Sequence, residues 1–163
     1  GMREQLELGY VFGGLSTFGQ RPFLPDPEML DEWRPHVAIV GAPFDIATTN
    51  RPGARFGPRA IRSQPYEPGT YHMDLGVEIF EWLEVVDFGD AHCPHGLTEA
   101  SHANIKRRVH EVASRGIVNI SSPERQQEAG SASAAVRASC SAAIVRAAAR
   151  SIPGSSARSA RST

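Results

Sequence analysis

HVAIVGAPF, His36 to Phe44, is a continuous apolar run ended by Gly and Pro. Such a run predicts a strand buried on both faces, the kind that parallel sheets contain. The stretch that follows, TTNRPGARFGPRAIR from Thr48 to Arg62, reads as a loop whose glycines and prolines fix its path. Pro58 suits the first turn of a short helix carrying Ala60 and Ile61, because the N–H it lacks would be unpaired there in any case. LEVVDFG, Leu83 to Gly89, predicts a second strand; it runs into GDAHCPHG before a helix that starts near Thr98. In that helix Ile105, Val109 and Val112 hold one face, Lys106, Arg107 and Arg108 lie largely off it, and Gly116 supplies the stop. GIVNI, Gly116 to Ile120, begins a third strand. Strands alternating with helices in this way predict an α/β domain with a parallel sheet covered on both sides.

Upstream, residues 10 to 35 are rich in Gly, Pro and aromatics, which predicts an irregular arm pinned by Phe12, Phe18 and Phe23. Inside it, an Asp26 carboxylate cap followed by Pro27 at the first helical position predicts a short helix through Trp33.

The 163 residues suit one domain, and a net charge of -1 gives no general attraction to nucleic acid or to anionic membranes. Cys93 and Cys140 lack CxxC spacing, and no signal peptide or membrane-spanning apolar run appears, so a cytoplasmic, reducing setting is expected. The average hides a break. From Ser121 to Thr163 there are 12 Ala, 11 Ser and 6 Arg, with no aromatic, Lys or Asp, and six Arg against Glu124 and Glu128 give +4. Residues 1 to 120 carry 11 basic and 16 acidic groups, hence -5. Residues 1–120 therefore read as the folded portion and 121–163 as a low-complexity tail. The tail is expected to be partly helical over Ala132 to Ala149, where Val136, Cys140, Ile144 and Ala148 give a thin apolar stripe, and disordered beyond Ser151.

Two clusters invite a chemical reading. In GDAHCPH, the groups Asp90, His92, Cys93 and His95 are plausible ligands for a transition metal. They are, however, nearly consecutive in a loop with Pro94, whereas stable sites draw ligands from separate elements and orient each imidazole by a further contact. A polar loop at a strand's carboxyl edge is the favoured reading, and the cluster is a decoy. Arg51, Arg55, Arg59 and Arg62 suggest either capture of an anion or carboxylate, or a rigid corner with the arginines tied to acidic neighbours; the density of Gly and Pro favours the corner. GxGxxG, the P-loop lysine, GxSxG and HExxH are all missing, and His102 and His110 read as helix-surface groups.

VAIVGAPFDIATTNRPGARFGPRAIR, with STFGQRPF before it and YHMDLGVEIFEWLEVVDFGDA after it, resembles the ureohydrolase (arginase/agmatinase) family, in its agmatinase and guanidino-acid hydrolase branch. The resemblance covers Tyr10 to Val118 and rests on several motifs in order and spacing. It implies a three-layer α/β/α fold, a homo-oligomer and a guanidino small molecule as substrate, such as agmatine, hydrolysed to an amine and urea. It also implies two Mn(II) ions with a bridging hydroxide that attacks the guanidinium carbon. On the loop, Pro52, Gly53, Arg55, Gly57 and Pro58 would be structural, while Asn50 and Arg51 are the candidates for approaching a substrate.

In the family the metals are held by three later motifs: Gly-Gly-Asp-His-Ser, Asp-Ala-His-x-Asp and Ser-x-Asp-x-Asp-x-x-Asp-Pro. The Asp-Ala-His of GDAHCPH mimics the second, but Pro94 stands where its closing Asp belongs, and it comes too early. Asp90 is the last aspartate, and a dinuclear site of hard cations needs several carboxylates. The chain is thus expected to be truncated before the metal motifs, to bind no Mn and to be inactive alone. The change of composition where the resemblance stops is what a frameshifted or chimeric gene produces; a remodelled non-enzyme, or a non-catalytic fragment that joins a full-length homologous subunit, is the alternative. With roughly three strands retained, much of the sheet's apolar surface is expected to lack its cover.

Overall fold

The computed structural model describes residues 14–46, 48–50, 52–64, 71–72 and 76–122. Phe12, Arg51 and residues 123–163 of the Ala/Ser/Arg-rich tail lie outside them. The central strand β1, Val37–Gly41, is buried at every position, as its unbroken apolar run requires. Helix α1, Pro27–Trp33, precedes it; a turn of 3-10 helix at Ala54–Phe56 and the short helix α2, Gly57–Arg62, follow. A small antiparallel pair, β2 (Tyr71–His72) with β3 (Val77–Glu78), leads through α3, Ile79–Trp82, into β4, Val85–Asp90. Helix α4, Thr98–Ala113, then returns the chain to β5, Val118–Ser122.

The main sheet is parallel, in the order β4-β1-β5. Successive side chains of a strand point to opposite faces, and two apolar layers result. Phe18, Val37, Ile39, Ile79, Leu83, Val85 and Ile120 pack on one face, under the N-terminal arm, α2 and α3. Leu24, Leu30, Trp33, Ala38, Val40, Val86, Phe88 and Val112 pack on the other, under α1 and α4. This is the α/β/α layering that the resemblance implies. The cover is more complete than strand number alone suggests: Val118, 42% exposed, is the large apolar strand residue left open among the described residues of the main sheet.

Three local expectations need correction. Asp26 occupies the cap position of α1 with extended backbone and Pro27 follows, but its carboxylate makes no cap hydrogen bond; its backbone carbonyl, bonded by Met29 N–H at 3.1 Å, opens the helix. Arg108 does not face away from the core. Its guanidinium lies 3.5 Å over the Phe88 ring and donates to the carbonyls of Phe88 and Pro25, the latter at 2.6 Å, clamping α4 to β4 and to the arm. Finally, β5 runs to Ser122, past the position where the composition changes, because Ser121 and Ser122 still pair with Val40 and Gly41. Backbone pairing with β1 outweighs the loss of apolar side chains there.

Candidate functional site

Parallel strands leave their carboxyl ends on one edge, and the loops that leave that edge are where α/β folds place their chemistry. The loops after β1 and β4 meet there around an open depression of about 520 Å³, whose lining includes Pro43, Asp45, Arg55, Phe56, Asp90 and His92. Cys93 and His95 also line it.

Asp45 organises the β1 side. Its side chain is 1% exposed and accepts hydrogen bonds from Gly53 N–H at 2.7 Å and Arg55 N–H at 3.4 Å, while Arg55 Nε donates to it at 2.6 Å. Burial pushes the Asp45 carboxyl up, but these donors and the Arg55 charge prevail and hold it below 3.8. Arg55, about a third exposed, thus has its inner edge tied to Asp45.

On the β4 side the register decides the geometry. Ile39 pairs with Asp87 but Gly41 pairs with Asp90, so β4 holds one residue more than β1 over the same span. The surplus residue is accommodated at Gly89, whose φ of 82° belongs to the left-handed region. In a regular strand Asp87 and Asp90 would face opposite sides; the bulge turns Asp90 so that one guanidinium reaches both. Arg62, at the end of α2, donates Nε to Asp87 Oδ2 at 2.7 Å and Nη1 to Asp90 Oδ1 at 2.7 Å. Asp87, fully buried, also accepts Phe18 N–H at 3.1 Å and Gly89 N–H at 2.9 Å, which fixes the arm to the strand. Burial works to lower the Arg62 pKa, but the two carboxylates outweigh that and raise it above the ordinary guanidinium value.

The residues singled out from sequence are distributed as follows. Gly57 and Pro58 are buried in the corner, Pro52 is exposed, and Gly53 supplies the bond to Asp45. Asn50 is exposed and does not line the depression, and Arg51 lies outside the described residues. His92 and His95 are exposed, Cys93 is half-buried, and Asp90 is committed to Arg62. Burial and the Asp90 charge push the Cys93 thiol above 9.0. Among the described residues no group of three or more His, Cys, Asp or Glu is arranged to hold a metal ion. The donors do not fit a Mn pair: one carboxylate is paired with an arginine, and burial and the Asp90 charge disfavour the thiolate of Cys93. Asp45 did not stand out from sequence; an isolated Asp directly after an apolar run is its only signal there. Asp87, which in the sequence stands just upstream of GDAHCPH and adds to its look of a metal site, is instead the buried partner of Arg62.

A family model described as the Arginase family matches residues 35–121, just over half the chain. The chain belongs to the arginase family. Its likeness runs to the agmatinase-like branch: it is 42% identical over 79 residues to a guanidinobutyrase of Pseudomonas aeruginosa, covering 48% of this chain and 24% of that protein. It is 33% identical over 105 residues to a mitochondrial guanidino acid hydrolase of Homo sapiens, covering 64% of this chain and 28% of that one. The chain thus spans about a quarter of the length of these curated relatives. Among solved structures, proclavaminate amidino hydrolase from Streptomyces clavuligerus superposes with a TM-score of 0.54 at 25% identity, over 68% of this chain and 34% of that one. A hypothetical agmatinase from Burkholderia thailandensis gives 0.59 at 24% identity, over 69% and 34%, which speaks to the fold alone. No helix among the described residues is long and apolar enough to cross a membrane.

Proposed function

We propose that this chain is the N-terminal portion of an agmatinase-like ureohydrolase acting on a guanidino compound, and that by itself it catalyses no turnover. The family match ending at residue 121, beside the change in composition at Ser121, carries this reading. The segment that follows supplies no aspartate, so the carboxylates that two Mn ions demand are missing from it. A shifted reading frame accounts for both facts. Nucleotide sequence across codons 115 to 125 tests it: restoring one base is expected to uncover Gly-Gly-Asp-His-Ser just downstream of Val118. Urea release from agmatine or 4-guanidinobutyrate with added Mn(II), proportional to the purified 163-residue protein, defeats the claim of inactivity.

The second reading is a non-catalytic subunit that joins a full-length homologue. It is favoured by β5, an edge strand among the described residues whose first residue, Val118, is exposed. Co-purification with such a homologue supports it, and a monomer in its presence refutes it.

A further inference from the structure

We infer that the outer edge of β5 is a self-association surface, on which a second copy of this chain seats its own β5, antiparallel, about a two-fold axis at Ile120. This goes beyond the proposed function and does not rest on it, since it needs only the residues as they stand. The first observation is the difference between the two edges of the main sheet. The β4 edge is closed: Asp87 N–H donates to the Pro22 carbonyl and Leu24 N–H to the Asp87 carbonyl, each at 2.9 Å, and the Asp87 carboxylate takes Gly89 N–H. The β5 edge has no strand beside it among the described residues. Nor does it carry the devices that keep edges apart, because Ile117 to Ser122 holds no charged residue and no Pro. An uncharged strand meets its own copy without like-charge repulsion.

The second observation is the direction of the backbone groups. Val118 N–H donates to the His36 carbonyl, and a parallel ladder uses alternate residues of a strand. Val118 and Ile120 therefore face β1, while the N–H and C=O of Asn119 and Ser121 point outward, evenly spaced about Ile120. A two-fold axis there lets Asn119 exchange both main-chain hydrogen bonds with Ser121 of the second copy, and repeats the pair on the other side of the axis. The side chains fit the same register. Ile120 meets Ile120 of the second copy and extends the apolar layer it shares with Val37 and Ile39. Asn119 Nδ2 is buried with no hydrogen-bond partner among the described residues. Its side chain shares a face with Ser121, the residue that the second copy sets directly opposite, and rotation toward that hydroxyl supplies the missing acceptor. The outer edges of the joined sheet are the two closed β4 edges, so assembly stops at the dimer.

Sedimentation of the purified 163-residue chain over a range of concentrations tests this. Paired strands this short give a small interface, so the weight-average mass is expected to climb gradually from 17.6 kDa toward twice that and then level off. Amide exchange at Asn119 and Ser121 is expected to slow as concentration rises, by about tenfold once roughly nine-tenths of the chain is dimeric. Ser121→Pro deletes an outward N–H that β1 does not use, and Val118→Lys sets a charge at an exposed position of the edge; each is expected to weaken association about tenfold or more while the dilute monomer keeps its thermal midpoint. Leu97→Lys, at an apolar position 58% exposed before α4, is expected to leave association intact. A mass fixed at 17.6 kDa at every concentration overturns the inference, and so does growth beyond the dimer. Equal weakening by Leu97→Lys also overturns it, by assigning the association to general apolar contact. Should Ser121→Pro fail to fold, Val118→Lys and the exchange rates of the unsubstituted chain decide.

Discussion

Arg62 grips the fully buried Asp87 twice, Nε to Oδ2 at 2.7 Å and Nη2 to Oδ1 at 3.0 Å, in a fork-on-fork pair set 69 residues from the arm amide that shares the same carboxylate. The pair is stacked as well, since the guanidinium carbon lies 4.3 Å over the Phe18 ring. Removing one partner of a buried pair leaves an uncompensated charge and costs about 3–5 kcal/mol, a large share of a domain's total stability. Arg62→Met is therefore expected to unfold the chain or to lower its urea midpoint drastically. Adding Asp87→Asn to it is expected to restore part of the loss, because the charge is then gone. A midpoint for Arg62→Met within experimental error of the unsubstituted chain would show that the pair compensates nothing.

Gly41 is where β1 passes closest to Asp90. A Cβ placed there would stand 1.9 Å from Asp90 Oδ1 and 2.9 Å from Pro58 Cβ, distances that no rotamer change at Gly41 relieves. Gly41→Ala is expected to cost about 1–3 kcal/mol, the usual range for overpacking. In the Asp90→Ala background the cost is expected to shrink without vanishing, since Pro58 remains in the way. The coupling is read from denaturant midpoints of the two single variants and the double variant. Strict additivity would separate the two residues and contradict the geometry.

Asp45 sets an acid limit on the loop after β1. Its folded-state pKa lies below the ordinary carboxylate value, so the stability it contributes is fully present above that ordinary value and is lost as pH falls through the folded pKa. The chain is expected to lose stability as pH falls below about 4, and Asp45→Asn is expected to flatten that part of the curve. Thermal midpoints of the two proteins over this range provide the comparison. Curves that stay parallel would assign the acid loss to other carboxylates.

The fold was legible because β1 announces itself. Val37 to Gly41 has no polar interruption, and the strand and helix that follow are bounded by Gly or Pro at the expected places. The corner of α2 was legible for the same reason, with Pro58 where a helix starts. The site was less so. In DFGD the two aspartates are three apart, which in a regular strand puts them on opposite faces; only the extra residue at Gly89 brings both to Arg62, and a bulge is a property of pairing with β1, not of β4 alone. Arg108 was misplaced for a related reason. Helical periodicity assigns it to the polar side, but a long side chain can fold its guanidinium back over Phe88.

Cys93 separates an inert loop from a reactive or metal-ready one. A thiol prepared to bind metal or attack an electrophile has its pKa lowered by positive neighbours, whereas here burial and the nearby Asp90 charge both favour the protonated form. With Cys140→Ser removing the second thiol, iodoacetamide at neutral pH is expected to alkylate Cys93 more slowly than it alkylates glutathione, with the rate rising only toward alkaline pH. Asp90→Asn is expected to speed the reaction, because it removes the negative charge that disfavours the thiolate. The partial exposure of the side chain makes the reaction measurable, so a slow rate reports thiolate scarcity when the same sample reacts quickly at high pH. A rate matching or exceeding glutathione near pH 7, with its inflection on the acid side of an ordinary thiol, would contradict the structure. It would also return GDAHCPH to the status of a metal-site candidate.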